Sequence, residues 1–282
     1  MKILAVSGGI DSVVMLDFLY STAENRNELI VAHFDHGIRK NSAEDCAFVR
    51  RLAEQKYRLE FVSERAELGE RCSESVARRC RYDFLKRIAR EHDGNIYVAH
   101  HADDVVESIV INLIRGTGWR GLAPMSQADV VRPLLDWSKA KIYRYATEHQ
   151  LTFRQDPTNV EETYLRNRIR QKLRTLPNRS RQRILELYRR QFELRNEIDA
   201  ILAELTPRQS YYPRAVVANA PNDIAVEIVR HILGDRDIHL TRPQLQRCQD
   251  AIKDFTPGKY FSLDSKHLLK ISKYSFSVEP KT

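Results

Sequence analysis

The 282-residue chain is short of sulfur and has no long apolar run. Its four cysteines, Cys46, Cys72, Cys80 and Cys248, never fall in a C-x-x-C pair, which argues against a structural zinc site, an iron–sulfur cluster or a redox dithiol. They read as reduced thiols, with Cys80 in the core. No stretch approaches the roughly 18 apolar residues that a membrane span needs, so no membrane partner is expected. The opening Met1-Lys2-Ile3-Leu4 does not read as a secretory leader, because its apolar run stops at Gly8-Gly9 and Asp11 and Asp17 follow. Internal repeats and low-complexity tracts are missing too. A soluble cytoplasmic protein is the expectation.

Acidic residues are scarce in one particular place. From Tyr164 to Arg195 there are eleven Arg or Lys and only two Glu. A solvated helix face normally mixes the signs, so this block is a candidate nucleic-acid contact. The net charge of +8 and pI near 9.3 agree with an anionic partner without locating it.

The first half alternates short β-type runs, Lys2 to Val6, Glu28 to Phe34, Arg58 to Val62 and Asn95 to His100, with helix-length stretches. In Glu74 to Glu91, Val76, Cys80, Phe84 and Ile88 recur at i+4 as one apolar stripe. A helix is expected from Asp103 to Gly116, a fifth strand at Arg132-Pro133-Leu134-Leu135, and a helix from its cap Ser138 to about His149. The pattern predicts an α/β fold, a parallel sheet with helices on both faces, followed by a smaller mixed α/β domain. Pro177 interrupts the basic block and Ser180 to Leu205 reads as one long helix, which puts the domains at 1–178 and 179–282. The tail carries a helix at Asn222 to Leu233, a capping box at Thr241 to Gln244 and a three-strand meander, Lys259 to Leu263, His267 to Ile271 and Tyr274 to Val278.

Ligands of open α/β sheets bind beyond the carboxyl ends of the strands. Ser7-Gly8-Gly9-Ile10-Asp11-Ser12 follows the first run, His33-Phe34-Asp35-His36-Gly37 ends the second, and His100-His101-Ala102-Asp103-Asp104 ends the fourth. The first of these is a phosphate cradle in outline: small residues admit an anion to backbone N–H groups, two serines offer hydroxyls, and a helix N-terminus follows. It lacks the G-K-[ST] ending of a Walker loop and the third glycine of a dinucleotide fingerprint.

Directly after an N-terminal strand, S-G-G-I-D-S resembles the PP-loop of ATP pyrophosphatases, which split ATP between its α and β phosphates. With H-F-D-H-G-I-R (33–39), A-R-R-C-R-Y (77–82), H-H-A-D-D-V-V-E-S (100–108), R-G-T-G-W-R-G-L (115–122), R-P-L-L (132–135), D-P-T-N (156–159) and R-N-x-x-R (166–170) in this order, residues 1 to 176 resemble the tRNA(Ile)-lysidine synthetase family. That resemblance implies a PP-loop fold and a ligase that adenylates O2 of the wobble cytidine in a CAU anticodon. The ε-amine of free lysine then attacks C2 and releases AMP. It further implies ATP, with Mg2+ bridging the phosphates, as cofactors, and tRNA(Ile) and free L-lysine as partners; a homodimer is compatible with it.

On this reading Ser7, Gly8, Gly9, Ile10, Asp11, Ser12 and His33 bind ATP. Asp35 lies near the reacting atoms, Asp104 and Glu107 help to hold lysine or magnesium, and Arg115 neutralises phosphate charge. Asp103, four residues before Glu107 and on the same helix face, is a substrate contact. Arg166, Arg168, Arg170 and Lys172 position the tRNA, and Tyr164 is a candidate for base stacking. The rival readings are a base-thiolating PP-loop enzyme, disfavoured by the cysteine spacing, and a small-molecule ligase, which has no use for the basic block.

Overall fold

The computed structural model describes residues 1–37, 42–69, 72–127, 129–154 and 164–281. Strands β1 (Lys2–Ala5), β2 (Leu29–Asp35), β3 (Glu60–Arg65), β4 (Asn95–Tyr97) and β5 (Val130–Val131) form one sheet in the order β3-β2-β1-β4-β5, every pairing parallel. Parallel neighbours need crossovers. These are supplied by α1 (Ile10–Thr22), α2 (Ser42–Arg51, continued by a π-helical turn to Tyr57), α3 (Glu74–Glu91) and α4 (Ala102–Ile114).

Side-chain alternation along the strands builds two cores. Leu4, Leu29 and Val31 pack with α1, α2 and α5 (Lys139–Glu148) through Val13, Leu16, Val49 and Ile142. Ile3, Ile30, Ala32 and Ile96 face α3 through Phe84, Leu85 and Ile88. The i+4 stripe read from the sequence is therefore this second core, with Phe84 and Ile88 at its centre. Both faces are covered, which is why β2 is buried along its whole length.

One strand assignment needs correction. The fifth strand is Val130–Val131, and Arg132-Pro133-Leu134-Leu135 turns instead, with Leu135 N–H donating to Arg132 O at 3.2 Å and Trp137 N–H to Leu134 O at 2.8 Å. Pro133 has no N–H for a ladder, so the strand stops before it.

The basic block forms α6 (Tyr164–Arg174) and the start of α7 (Asn178–Leu205). Packing divides the chain into Met1–Phe192 and Glu193–Thr282, a division that falls inside α7, whereas the sequence put the junction near Leu176 to Ser180. In the second unit, α8 (Arg214–Ala218), α9 (Asn222–Gly234) and α10 (Arg242–Asp254) accompany an antiparallel sheet. Its strands are β6 (Tyr212–Pro213), β7 (Tyr260–Ser262), β8 (His267–Ile271) and β9 (Ser275–Pro280), in the order β6-β9-β8-β7. The expected meander is present, with β6 added at its edge.

Arg214 fastens this unit. Its guanidinium donates to the carbonyls of Ile252 (2.7 Å), Lys253 (2.9 Å), Phe255 (3.1 Å) and Ser272 (3.3 Å), satisfying the end of α10 and the β8–β9 turn together. Arg214→Met should cost about 2–4 kcal/mol, seen as a lower denaturant midpoint for the Glu193–Thr282 unit. An unchanged midpoint would contradict this role.

Candidate active site

Strand β1 has β2 on one side and β4 on the other, so the crevice beyond its carboxyl end lies at the point where strand order reverses. The three polar clusters of the sequence are carried there by β1, β2 and β4. Gly8 takes φ +89°, the left-handed region that favours glycine, and a Cβ added to it would crowd Phe48 and Val49 side-chain atoms at 3.3 Å. Ser12, nearly buried, donates its hydroxyl to Gly9 O at 2.9 Å and accepts Ser7 N–H at 3.2 Å. Gly9 is the N-cap of α1 and supplies no side-chain cap, which leaves the first turn's N–H groups, from Ile10 onward, directed at the crevice.

His33 and Asp35 lie on one side of β2. His33 Nδ1–H donates to Val6 O at 2.8 Å, and burial holds the imidazole below its ordinary pKa and neutral. Its contact therefore fixes the chain just ahead of the glycine turn. Asp35 is 6% exposed; its Oδ1 accepts Gly37 N–H at 2.8 Å, and its Oδ2 lies 3.8 Å from Arg65 Nε. The continuation of that motif at Ile38-Arg39 lies outside the described residues, as does Asp156-Pro157-Thr158-Asn159.

At the start of α4 the acids separate by role. Asp104 accepts the His101 N–H at 2.9 Å, and His101 Nε2 lies 3.5 Å from Asp104 and 3.8 Å from Asp11. Burial raises the pKa of Asp104, against the pull of His101, and the neighbouring Glu107 and Asp11 raise it further. Asp103, expected as a substrate contact, pairs with the Arg181 guanidinium and accepts Lys139 N–H at 2.8 Å. Glu107 is 4% exposed and takes Arg170 bidentately, at 2.8 and 3.2 Å, with Arg166 at 3.7 Å. Because a buried carboxylate must be paired, two arginines expected on tRNA serve Glu107. Arg168 and Lys172, on the other side of α6, are exposed; the Tyr164 side chain lies outside what is described.

Arg115, expected to neutralise phosphate charge, lies apart from the α4 acids. It is the exposed C-cap of α4, whereas the acids lie at the N-terminal end, and twelve residues of α-helix separate it from Asp103 by about 18 Å.

Sequence reasoning missed three residues here. Lys139, the first residue of α5, donates its Nζ to Asp11 Oδ1 at 2.5 Å. Arg154 N–H donates to Gly8 O at 2.9 Å while its guanidinium holds Asp45 and Glu44, both at 2.9 Å. Arg181 joins α7 to α4. None of these contacts is local in sequence, so no motif could have announced them. His100, at the end of the β4 segment, is driven to a pKa of about 3 by burial and by Arg132, Arg78, Arg81 and Arg166 around it. Its Nδ1 is buried with no hydrogen-bond partner.

Among the described residues no set of three or more His, Cys, Asp or Glu side chains is gathered for a metal ion, and no helix is long and apolar enough to cross a membrane. The oxygen donors at the crevice, Asp11 and Asp104, suit a hard cation such as Mg2+ better than a zinc ion.

A family model described as PP-loop domain matches residues 2–176, more than half of the chain. The chain belongs to the PP-loop domain family. Among curated proteins, this PP-loop chain is 41% identical over 183 residues to a tRNA(Ile)-lysidine synthase of Geobacter sulfurreducens, covering 61% of this chain and 39% of that one. It is 32% identical over 250 residues to a protein of the same name from Exiguobacterium sibiricum, covering 83% and 59%. The chain thus spans less than two-thirds of the length of these relatives. Among solved structures, the U34-tRNA thiolase NcsA of Methanococcus maripaludis, with its [4Fe-4S] cluster, superposes with a TM-score of 0.57 at 22% identity over 68% of this chain and 71% of that one. That likeness concerns the fold.

Two outcomes test the site's construction. Glu107→Gln should lower stability by about 2–4 kcal/mol, by stranding Arg170 beside a neutral group, measured by equilibrium unfolding. His100 is neutral in the fold and titrates near 6.5 when unfolded, so the unfolded chain binds the extra proton between pH 6.5 and about 3. Stability should therefore be lost as pH is lowered through that window, by up to about 1.4 kcal/mol per unit from this group. His100→Gln should flatten the slope by that amount; an unaltered slope would contradict the assignment.

Proposed function

We propose that the chain uses ATP to join free lysine to C2 of the wobble cytidine of a CAU-anticodon tRNA(Ile), making lysidine through an O2-adenylated intermediate and releasing AMP and pyrophosphate. What carries this reading is the convergence of S-G-G-I-D-S, the Asp35 cluster and the H-H-A-D-D cluster on one crevice, in a chain whose relatives are named for that reaction. A pyrophosphate-holding turn without a Walker lysine suits transfer of AMP rather than of the terminal phosphate.

The demands of the chemistry match what the crevice offers. Lysine at pH 7 must lose a proton before it attacks, at a cost of roughly 4.6 kcal/mol from its reference pKa. Asp104, beside His101 at the start of α4, is the proposed carboxylate that docks the lysine ammonium or shares the magnesium with Asp11. Asp35 is the proposed carboxylate beside the cytidine and α-phosphate. Mg2+, carried on the ATP phosphates, would find carboxylate oxygens at Asp11 and Asp104 and would there offset phosphate charge. Exposed Arg168 and Lys172 are the proposed contacts to the tRNA backbone, which position it without reading sequence. Arg170 and Arg166 support them by holding α6 to Glu107.

Purified protein with ATP, labelled lysine and a CAU-anticodon tRNA should incorporate lysine and release AMP stoichiometrically. Sulfur entering instead, when a sulfur donor is supplied, would overturn the reading in favour of thiolation. Asp11→Ala should abolish AMP release while tRNA binding persists. Reversing the charge of Arg168 and Lys172 together should weaken tRNA binding and lower the slope of log affinity against log salt by about 2; an unchanged slope removes α6 from the RNA contact.

A further inference from the structure

Loops that cradle phosphates usually combine backbone N–H groups with a cation, and S-G-G-I-D-S contains none. The helix that follows offers only about half a positive charge. We propose that Lys139, 128 residues after Asp11, supplies the missing cation and binds the polyphosphate directly. The proposal rests on the reading that the Ser7–Ser12 turn holds the phosphates of ATP.

Two helices bring the lysine there. Asp11 of α1 meets Lys139 of α5, and six residues further along each helix Asp17 of α1 accepts the Tyr145 hydroxyl of α5 at 2.9 Å. Equal advances along both helices mean that α1 and α5 run in the same direction, with their N-termini side by side. The apolar contact between them, Val13, Leu16, Ile142 and Ala146, keeps that register. The Lys139 N–H is held by Asp103 at the start of α4. Three helix N-termini therefore meet around Lys139, and their partial charges favour an anion at this point.

Among the described residues, three other cations nearby are committed. Arg154 holds Asp45 and Glu44, Arg181 holds Asp103 and the Leu173 carbonyl, and Arg170 holds Glu107. Lys139 is different because its partner is the loop's own carboxylate, and both side chains are about one-third exposed. Its ammonium also lies 5.3 Å from the Tyr143 ring. Asp11 keeps the ammonium at the lip of the cradle; when a polyphosphate enters, the flexible four-carbon stem lets Nζ pass its hydrogen bond from Asp11 to a phosphate oxygen. No covalent bond changes.

The test is titration of inorganic pyrophosphate, in EDTA, into the full chain by calorimetry. Lys139→Met should weaken binding by at least about tenfold, and Lys139→Arg should retain most of it. The thermal midpoint should stay within a few degrees, because the backbone N–H to Asp103 survives the substitution. The Asp11→Asn, Lys139→Met double variant should bind as weakly as Lys139→Met. Full binding by Lys139→Met, or restoration by Asp11→Asn, which would reduce the lysine to a screen for Asp11, overturns the proposal while leaving the loop's role intact. Failure of the unaltered protein to bind pyrophosphate overturns both the lysine's role and the loop's.

Discussion

The rim depends on β1 having parallel neighbours on both sides. Parallel pairing puts the carboxyl ends of β1, β2 and β4 at one level, and the reversal of strand order at β1 opens a crevice there. The glycine turn, His33, Asp35 and the start of α4 then need no special arrangement of their own to meet. Burial of Leu4, Val31, Ile3 and Ile30 on the two faces sets the register, and the polar residues arrive at the rim as extensions of strands fixed by apolar packing.

Three acids on the first turns of α4 look equivalent in the sequence, yet the fold gives each a different environment. Asp103 joins α4 to α5 and α7, Glu107 anchors α6 from a buried position, and Asp104 sits against His101 with its proton affinity raised. Arginine serves the first two because it donates in a fork and stays charged when partly buried. A cluster of like charges is thereby tolerated at the start of one helix, with its repulsion offset by named cations.

The legible part of the sequence was what local pattern encodes. Alternating strands and the α3 stripe gave the parallel sheet, the glycine pair gave the turn after β1, and the cap at Ser138 gave the start of α5, where Ser138 Oγ accepts Lys141 N–H at 3.2 Å. What escaped was pairing at long range. Nothing near Arg170 in sequence says that Glu107, 63 residues earlier, is buried and waiting for it, and so a basic run read as one surface proved to have an inward and an outward side. Motif order likewise conveys adjacency in sequence, while a helix of thirteen residues carries its two ends far apart, so Arg115 and the acids of α4 stand at opposite ends.

The Arg154 backbone contact has a consequence for the turn itself. A trans peptide is planar, with its carbonyl and N–H pointing in opposite directions. The Gly8 carbonyl is drawn to the Arg154 amide, so the Gly9 amide is turned the other way and cannot flip without breaking that bond. The peptide plane is locked by a residue 146 positions along the chain from Gly8, and Arg154 is itself clamped by two carboxylates of α2. The orientation of the peptide plane at the turn is thus set by the fold itself, through a bond that closes a loop of the chain.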